Sequence, residues 1–204
     1  MTNLNYQNKL PKKFYTRDAL SVANDLLGKY FVRKINRKVL AGKIVEVEAY
    51  DGAVDEASHT FRGKTKRNEI MFEEGGFLYV YFTYGVHFCC NVVAGKKDEG
   101  KAVLIRGIEP LEGLEILAEN RFGKNQISEK EKLNLTSGPG KICQAFDIAR
   151  DENGLNLLGD KIFLLKNRKI PEERIVTSRR IGIKKAVELP WRFYIKDNPY
   201  VSKR

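Results

Sequence analysis

The chain has 204 residues, enough for one domain with a substantial core or two very small ones. Hydrophobic residues make up 42% and aromatics 10%, which excludes a disordered chain, and no stretch approaches the ~20 apolar residues of a bilayer helix. A formal net charge of +11 points to a polyanion partner, nucleic acid ahead of an acidic membrane, with solubility alone as the bland alternative.

Met1 to Lys13 is polar and lacks a secretory apolar core, so an intracellular protein is expected. Cys89, Cys90 and Cys143 sit among apolar neighbours and suit a reducing compartment rather than a disulfide framework. Thr16 is placed to cap a helix whose apolar positions, Ala19 to Leu27, follow helical spacing up to Gly28. Tyr30 to Ile35 and Val39 to Tyr50 then read as strands around the turn Asn36-Arg37-Lys38. Residues 51–74 are polar and aperiodic, and so long an irregular segment is more often functional than idle.

Phe77 to Tyr84 and Val86 to Val93 are strand candidates around Gly85, and Ala102 to Ile108 is another. Pro110 is expected to begin a helix carrying Leu111, Leu114, Leu117 and Ala118, ended by Gly123. Lys124 to Asn134 reads as an exposed charged loop, and 140–148 as a short helix. Leu155 to Leu158, Ile162 to Leu165 and Trp191 to Ile195 are expected as short strands. The sum is a single α+β domain, residues 1–204, on a curved, barrel-like antiparallel sheet with peripheral helices.

Within Ile44 to Tyr50 the alternation sends Val45, Val47 and Ala49 one way and Glu46, Glu48 and Tyr50 the other, at ~7 Å spacing. A solvated strand face would account for the carboxylates. The functional reading is a carboxylate in a groove beside an aromatic ring, able to activate water and stabilise positive charge on a sugar. The strand alone does not choose between Glu46 and Glu48. Tyr79 and Tyr81 share one strand face and are as readily core residues, whereas Tyr84, beside Gly85, is an odd place for an unburied ring. Proteins that kink DNA use such rings as wedges, which makes this a candidate DNA-inserting hairpin.

His59, in Asp55-Glu56-Ala57-Ser58-His59, is a surface histidine or a pocket residue. His59, His87 and the three cysteines offer no paired ligand spacing, so neither a metal nor another cofactor is expected. Arg106 interrupts an apolar strand and wants either an anionic ligand or a carboxylate such as Glu48 or Glu109. Ser137-Gly138-Pro139-Gly140-Lys141 suits a phosphate at a helix start but lacks the spacing of a nucleotide-binding loop. Arg174, Arg179, Arg180, Lys184 and Lys185 form a candidate basic patch that follows a nucleic-acid backbone, or an ordinary solvated face.

Taken in order, these pieces resemble the alkyladenine (3-methyladenine) DNA glycosylase family. They are Val45-Glu46-Val47-Glu48-Ala49-Tyr50, Asp55 to His59, Arg67-Asn68 with Met71-Phe72, and Gly76 to Tyr81 running through Tyr84-Gly85 to Asn91. Val103 to Pro110, Ser137 to Ala145, Arg180-Ile181-Gly182-Ile183 and Pro190-Trp191-Arg192-Phe193-Tyr194 follow, so the likeness spans nearly the whole chain. His87 departs from it, standing where another aromatic is expected.

The resemblance implies a monofunctional glycosylase of duplex DNA that flips out and hydrolytically excises alkylated or deaminated purines, and a monomer is the default expectation. By position Glu48 would be the general base. Tyr50 and His59 would lie against one side of the flipped base and Tyr81 against the other, Tyr79 would support the wall, and Asn91 would help exclude guanine. Tyr84 would fill the gap in the duplex, and Arg106 would hold backbone phosphate; Lys141 and Arg180, from the glycine-rich segment and the basic cluster, are the further DNA-binding candidates. The competing readings are a nucleic-acid-binding module without catalysis, for which Glu48 is dispensable, and an RNA-binding or RNA-modifying protein with stacking aromatics.

Overall fold

Tyr30–Ile35 (β1) and Lys38–Asp51 (β2) form a hairpin whose turn residues, Asn36 and Arg37, sit at φ 47° and 65°. Two successive positive φ values give the turn whose twist matches the flanking strands. The computed structural model describes residues 4–83 and 85–203. The remaining strands are Leu78–Thr83 (β3), His87–Ala94 (β4), Lys101–Glu112 (β5), Ile162–Leu165 (β6), Ile175–Ser178 (β7) and Arg192–Ile195 (β8).

Among the described residues all eight strands join one antiparallel sheet, ordered β3-β4-β5-β2-β1-β6, with β8 pairing both β2 and β7. β2 is its axis. One edge of β2 pairs with β5 from Ala41 to Asp51; the other pairs first with β1 and then, at Glu46–Glu48, with β8. The β2–β5 register shifts at Ile44/Glu46 and Glu46/Val47, and such irregularities bend a strand and increase its twist. The sheet curls into a half-barrel, as the sequence predicts. Val45, Val47 and Ala49 point into the main core with Ile105, Ile108 and Phe146, while Glu46, Glu48 and Tyr50 point away from it.

The helices are Lys12–Tyr15 (α1), Ala19–Leu26 (α2), Leu114–Phe122 (α3), Glu129–Asn134 (α4) and Pro139–Ala145 (α5), and they lie at the margins. Several boundaries differ from expectation. Asp18, not Thr16, caps α2, its carboxylate accepting the N–H groups of Leu20 and Ser21. Pro110 begins no helix: it pairs with Gly42 beside a register shift, where its missing N–H is tolerated, and α3 starts only after Gly113 at φ 74°. The stretch expected as a charged loop contains α4, opened by reciprocal bonds between Ser128 and Glu131. Leu155 to Leu158 forms no strand, only an isolated bridge from Asn156 to Phe77. α1 and β7 are too short to leave a periodic signal.

β3 and β4 are paired antiparallel from Leu78↔Val92 to Thr83↔His87. Tyr84, the expected wedge, lies outside the described residues. Val86 beside it and Phe82 before it are exposed apolar side chains. No helix among the described residues is long and apolar enough to cross a membrane.

Candidate active site

Neither carboxylate of the alternating strand faces solvent: Glu46 and Glu48 are both fully buried, which sets aside the solvated-face reading. Their partners distinguish them. Glu46 Oε1 accepts from Arg192 Nε at 2.7 Å, Ser202 Oγ at 2.9 Å and Arg106 Nε at 3.2 Å, while Oε2 accepts the Ser202 N–H at 2.6 Å. Glu48 Oε1 accepts the Ile181 N–H at 2.8 Å, and Oε2 accepts the Tyr50 hydroxyl at 2.9 Å. Arg106 stands between the two acids, its Nε 3.3 Å from Glu48 Oε1 and its Nη1 3.4 Å from Oε2.

Burial pushes the Glu48 carboxyl above its ordinary range, and this outweighs the pull of Arg106, the Ile181 N–H and the Tyr50 hydroxyl toward the charged form. A carboxylate of raised pKa is a stronger base than one in water, provided it stays ionised.

Tyr50, Arg106 and Ile181, the three groups that hold Glu48, line a cleft of about 580 Å³. His59, Tyr79, Tyr81 and Asn91 line it too, so the cleft gathers every residue expected to contact a base. Its volume and aromatic lining suit one flat heterocycle. Tyr79 and Tyr81 stack at 5.5 Å with a 24° tilt, and Asn91 Nδ2 donates to the Tyr79 carbonyl at 3.2 Å from the facing strand. His59 was expected beside Tyr50, across from Tyr81. It stands edge-on to Tyr81 at 4.6 Å, its Nδ1 3.0 Å from the Tyr79 hydroxyl.

The expected DNA-backbone contacts fare differently. Arg180 is not part of a surface patch: its side chain and that of Asp55 are completely buried and paired at 2.5 and 2.7 Å. Its guanidinium also donates to the Ala49 and Ala186 carbonyls and lies 4.6 Å over the Tyr50 ring. The sequence reads Arg180 as one of a cluster of surface cations, because its partner lies 125 positions away in the chain. Arg179, Lys184 and Lys185 of the same cluster are exposed, and the two lysines reach the cleft mouth.

Arg106 does take a carboxylate, but from Glu46 and Glu48; Glu109, the other candidate, pairs with Lys43 at 2.7 Å. Lys141 Nζ is engaged by Asn134 Oδ1. Gly140 accounts for part of the glycine-rich segment on packing grounds, since a Cβ there would lie 3.1 Å from the His87 side chain.

Sequence reasoning missed Asp55 as the anchor of Arg180, and Arg192 and Ser202 as partners of Glu46. Strand alternation in Arg192–Ile195 could have flagged an arginine facing the acids. Nothing in a terminal Val-Ser-Lys could have flagged Ser202. All three cysteines are free and buried, and among the described residues no group of three or more His, Cys, Asp or Glu is placed to hold a metal ion.

Comparison with known proteins finds matches along nearly the whole chain. The profile of the methylpurine-DNA glycosylase family matches residues 13–199. A protein of Clostridium novyi is 48% identical over 202 residues, covering 96% of this chain and 99% of its own length. One of Carboxydothermus hydrogenoformans is 51% identical over 196 residues, covering 96% and 99%. One of Clostridium perfringens is 47% identical over 204 residues, covering 96% and 100%. Each bears the name "Putative 3-methyladenine DNA glycosylase".

Proposed function

The chain belongs to the methylpurine-DNA glycosylase family, and on that premise we propose that Glu48 is the general base with which it hydrolyses the N-glycosyl bond of damaged purines in DNA. Membership in a family of base-excision enzymes sets aside the non-catalytic binding module and the RNA-binding reading. The observation that carries the assignment is the buried Glu48 carboxylate held by three groups that themselves line the aromatic cleft.

The damaged nucleotide leaves the stack for the cleft, a step that costs a few kcal/mol and least for a weakly paired lesion. Tyr84 fills the space it vacates. The base lies against Tyr81, with Tyr50 opposite, His59 at its edge and Tyr79 behind. Electron-rich rings favour bases made cationic by alkylation at N3 or N7, such as 3-methyladenine and 7-methylguanine. Hypoxanthine and ethenoadenine are neutral and also fit the cleft, but they need protonation as they leave. Asn91, tied by its amide to Tyr79, crowds the exocyclic amino group of guanine.

Water approaches C1′ from the side opposite the base and gives its proton to Glu48. The same carboxylate stabilises the oxocarbenium-like transition state. Arg106 favours the ionised form of Glu48 against the larger pull of burial. No lysine is required as a nucleophile, so the product is an abasic site without strand cleavage. The enzyme acts as an intracellular monomer without a cofactor, and Arg179, Lys184, Lys185 and Lys141 meet backbone phosphates.

The test is base release from duplexes carrying one 7-methylguanine or one hypoxanthine, with wild type and Glu48→Gln side by side. Loss of a general base lowers such a rate by about 10²–10⁴-fold, with lesion binding retained. Release by Glu48→Gln at the wild-type rate would remove Glu48 from the mechanism.

A further inference from the structure

Glu46, like Glu48, is not itself among the residues lining the cleft, yet four hydrogen bonds converge on it, two of them from one residue remote in the chain. That residue is Ser202. Its N–H and its hydroxyl both donate to Glu46, at 2.6 and 2.9 Å, and the hydroxyl oxygen accepts from Arg106 Nη2 at 3.3 Å. The segment around it is anchored on both sides: Tyr200 and Val201 are buried, and the Lys203 carbonyl accepts from Arg192 Nη2. β5 makes room for the segment at Gly107, where a Cβ would stand 2.9 Å from the Tyr200 carbonyl oxygen and 3.0 Å from Glu46 Cβ.

We propose that residues 198–203 form a clasp that positions the catalytic arginine–glutamate pair, with Ser202 acting through Glu46 and Arg106 on Glu48. The geometry makes the chain of influence short. Arg106 is shared, its Nε lying 3.2 Å from Glu46 and 3.3 Å from Glu48. Ser202 supplies the one donor that Glu46 Oε2 receives among the described residues and one of three on Oε1. Without it, a fully buried carboxylate has lost half its donors, and the donor it shares with Glu48 is Arg106. As Glu46 draws that guanidinium toward itself, Glu48 loses the positive charge that favours its ionised form.

The groups facing Glu48 are few. They are Glu46 and Tyr50 from β2, Arg106 from β5, and Arg180 with the Ile181 N–H from the segment after β7; Tyr81 on β3 and Cys89 on β4 also feel its charge. Of these, Glu46 and Arg106 touch Ser202. Glu48, Tyr50 and the Ile181 N–H therefore stay as they are when the clasp is loosened.

The proposal rests on Glu48 being the base. Its test uses the full chain and single-turnover release of hypoxanthine from a duplex between pH 5 and 9, together with affinity for a duplex carrying a non-hydrolysable abasic analogue. Ser202→Pro deletes both the N–H and the hydroxyl, Ser202→Ala deletes only the hydroxyl, and Ser202→Thr keeps both. In Ser202→Pro the acid limb of the rate profile moves to higher pH by about one unit, a loss of about tenfold on that limb, with analogue affinity unchanged. Ser202→Ala moves it partway, and Ser202→Thr restores the wild-type profile.

An acid limb that stays in place in Ser202→Pro, or a loss that Ser202→Thr does not repair, overturns the clasp. Should Ser202→Pro fail to fold, Ser202→Ala decides alone on the same limb. Glu48→Gln, run in parallel, separates the premise from the proposal. An active Glu48→Gln removes the base assignment, whereas an inactive one beside an unperturbed Ser202→Pro removes only the clasp.

Discussion

Asp55 and Arg180 form a bidentate pair with both side chains wholly out of solvent. Replacing Asp55 by Ala leaves a guanidinium charge buried with only the Ala49 and Ala186 carbonyls as acceptors. Breaking such a pair from one side costs about 3–5 kcal/mol. For a chain of this length that corresponds to a melting temperature lower by roughly 6–20 °C. Replacing both partners, Asp55→Ala with Arg180→Met, removes the two charges together and leaves only the two carbonyls short of a donor. The double variant should therefore recover about 2 kcal/mol or more relative to the sum of the single losses. Urea unfolding of all four proteins gives the coupling energy directly. Single losses below about 1 kcal/mol, or an additive cycle, would refute the reasoning. The same cycle separates stability from catalysis. Arg180 lies 4.6 Å over Tyr50 and directly precedes Ile181, so it seats two of the donors on Glu48. The double variant should fold and bind DNA yet release bases slowly.

Two further outcomes follow from burial. Burial raises the Glu48 carboxyl despite Arg106, the Ile181 N–H and the Tyr50 hydroxyl, and a base acts in its ionised form. Base release should therefore fall as pH drops through a midpoint above 4.5, the carboxyl's ordinary value; a limb at or below it would count against the assignment. Burial and then the neighbouring Cys90 push the Cys89 thiol up to about 11, and Cys90 and Cys143 are equally enclosed. None of the three should react with an aromatic disulfide reagent at pH 8 until denaturant is added, and rapid labelling of the folded enzyme would sink that expectation.

The sheet was legible where the alternation was strong. β1, β2, β3 and β4 lie within a few residues of their expected bounds, because one face of each packs on the core and the pattern has a period of two. The misreadings came where a local signal competed with a tertiary one. Pro110 favours a helix start, but the ladder with β2 continues through it to Glu112. α4 buries nothing, so it has no apolar stripe, and only its capping box announced it.

At the site, the strand pattern placed Glu46 and Glu48 together without distinguishing them. The distinction lies in groups 133 and 156 positions away, Ile181 and Ser202, which no local reading reaches. Arg180 shows the same limit in reverse. Arg179 precedes it and Lys184 and Lys185 follow nearby, but its partner in space is Asp55.

Glu48 also raises a question of occupancy. A carboxylate offers about four acceptor positions, and Glu48 already meets Ile181, Tyr50 and two nitrogens of Arg106. On the general-base reading, an attacking water has to take one of these places. The contacts at 2.8 and 2.9 Å are short, whereas those from Arg106 are 3.3 and 3.4 Å and so the cheapest to surrender. An arginine that surrendered its contact and swung away would take its charge with it, and the buried carboxylate would then capture a proton before the reaction began. Arg106 is prevented from leaving by Glu46 and Ser202, which hold its Nε and Nη2 from the other side. The second acid of the strand thus has a physical use without touching substrate. It lets the cation yield a hydrogen bond to water while its charge stays beside Glu48.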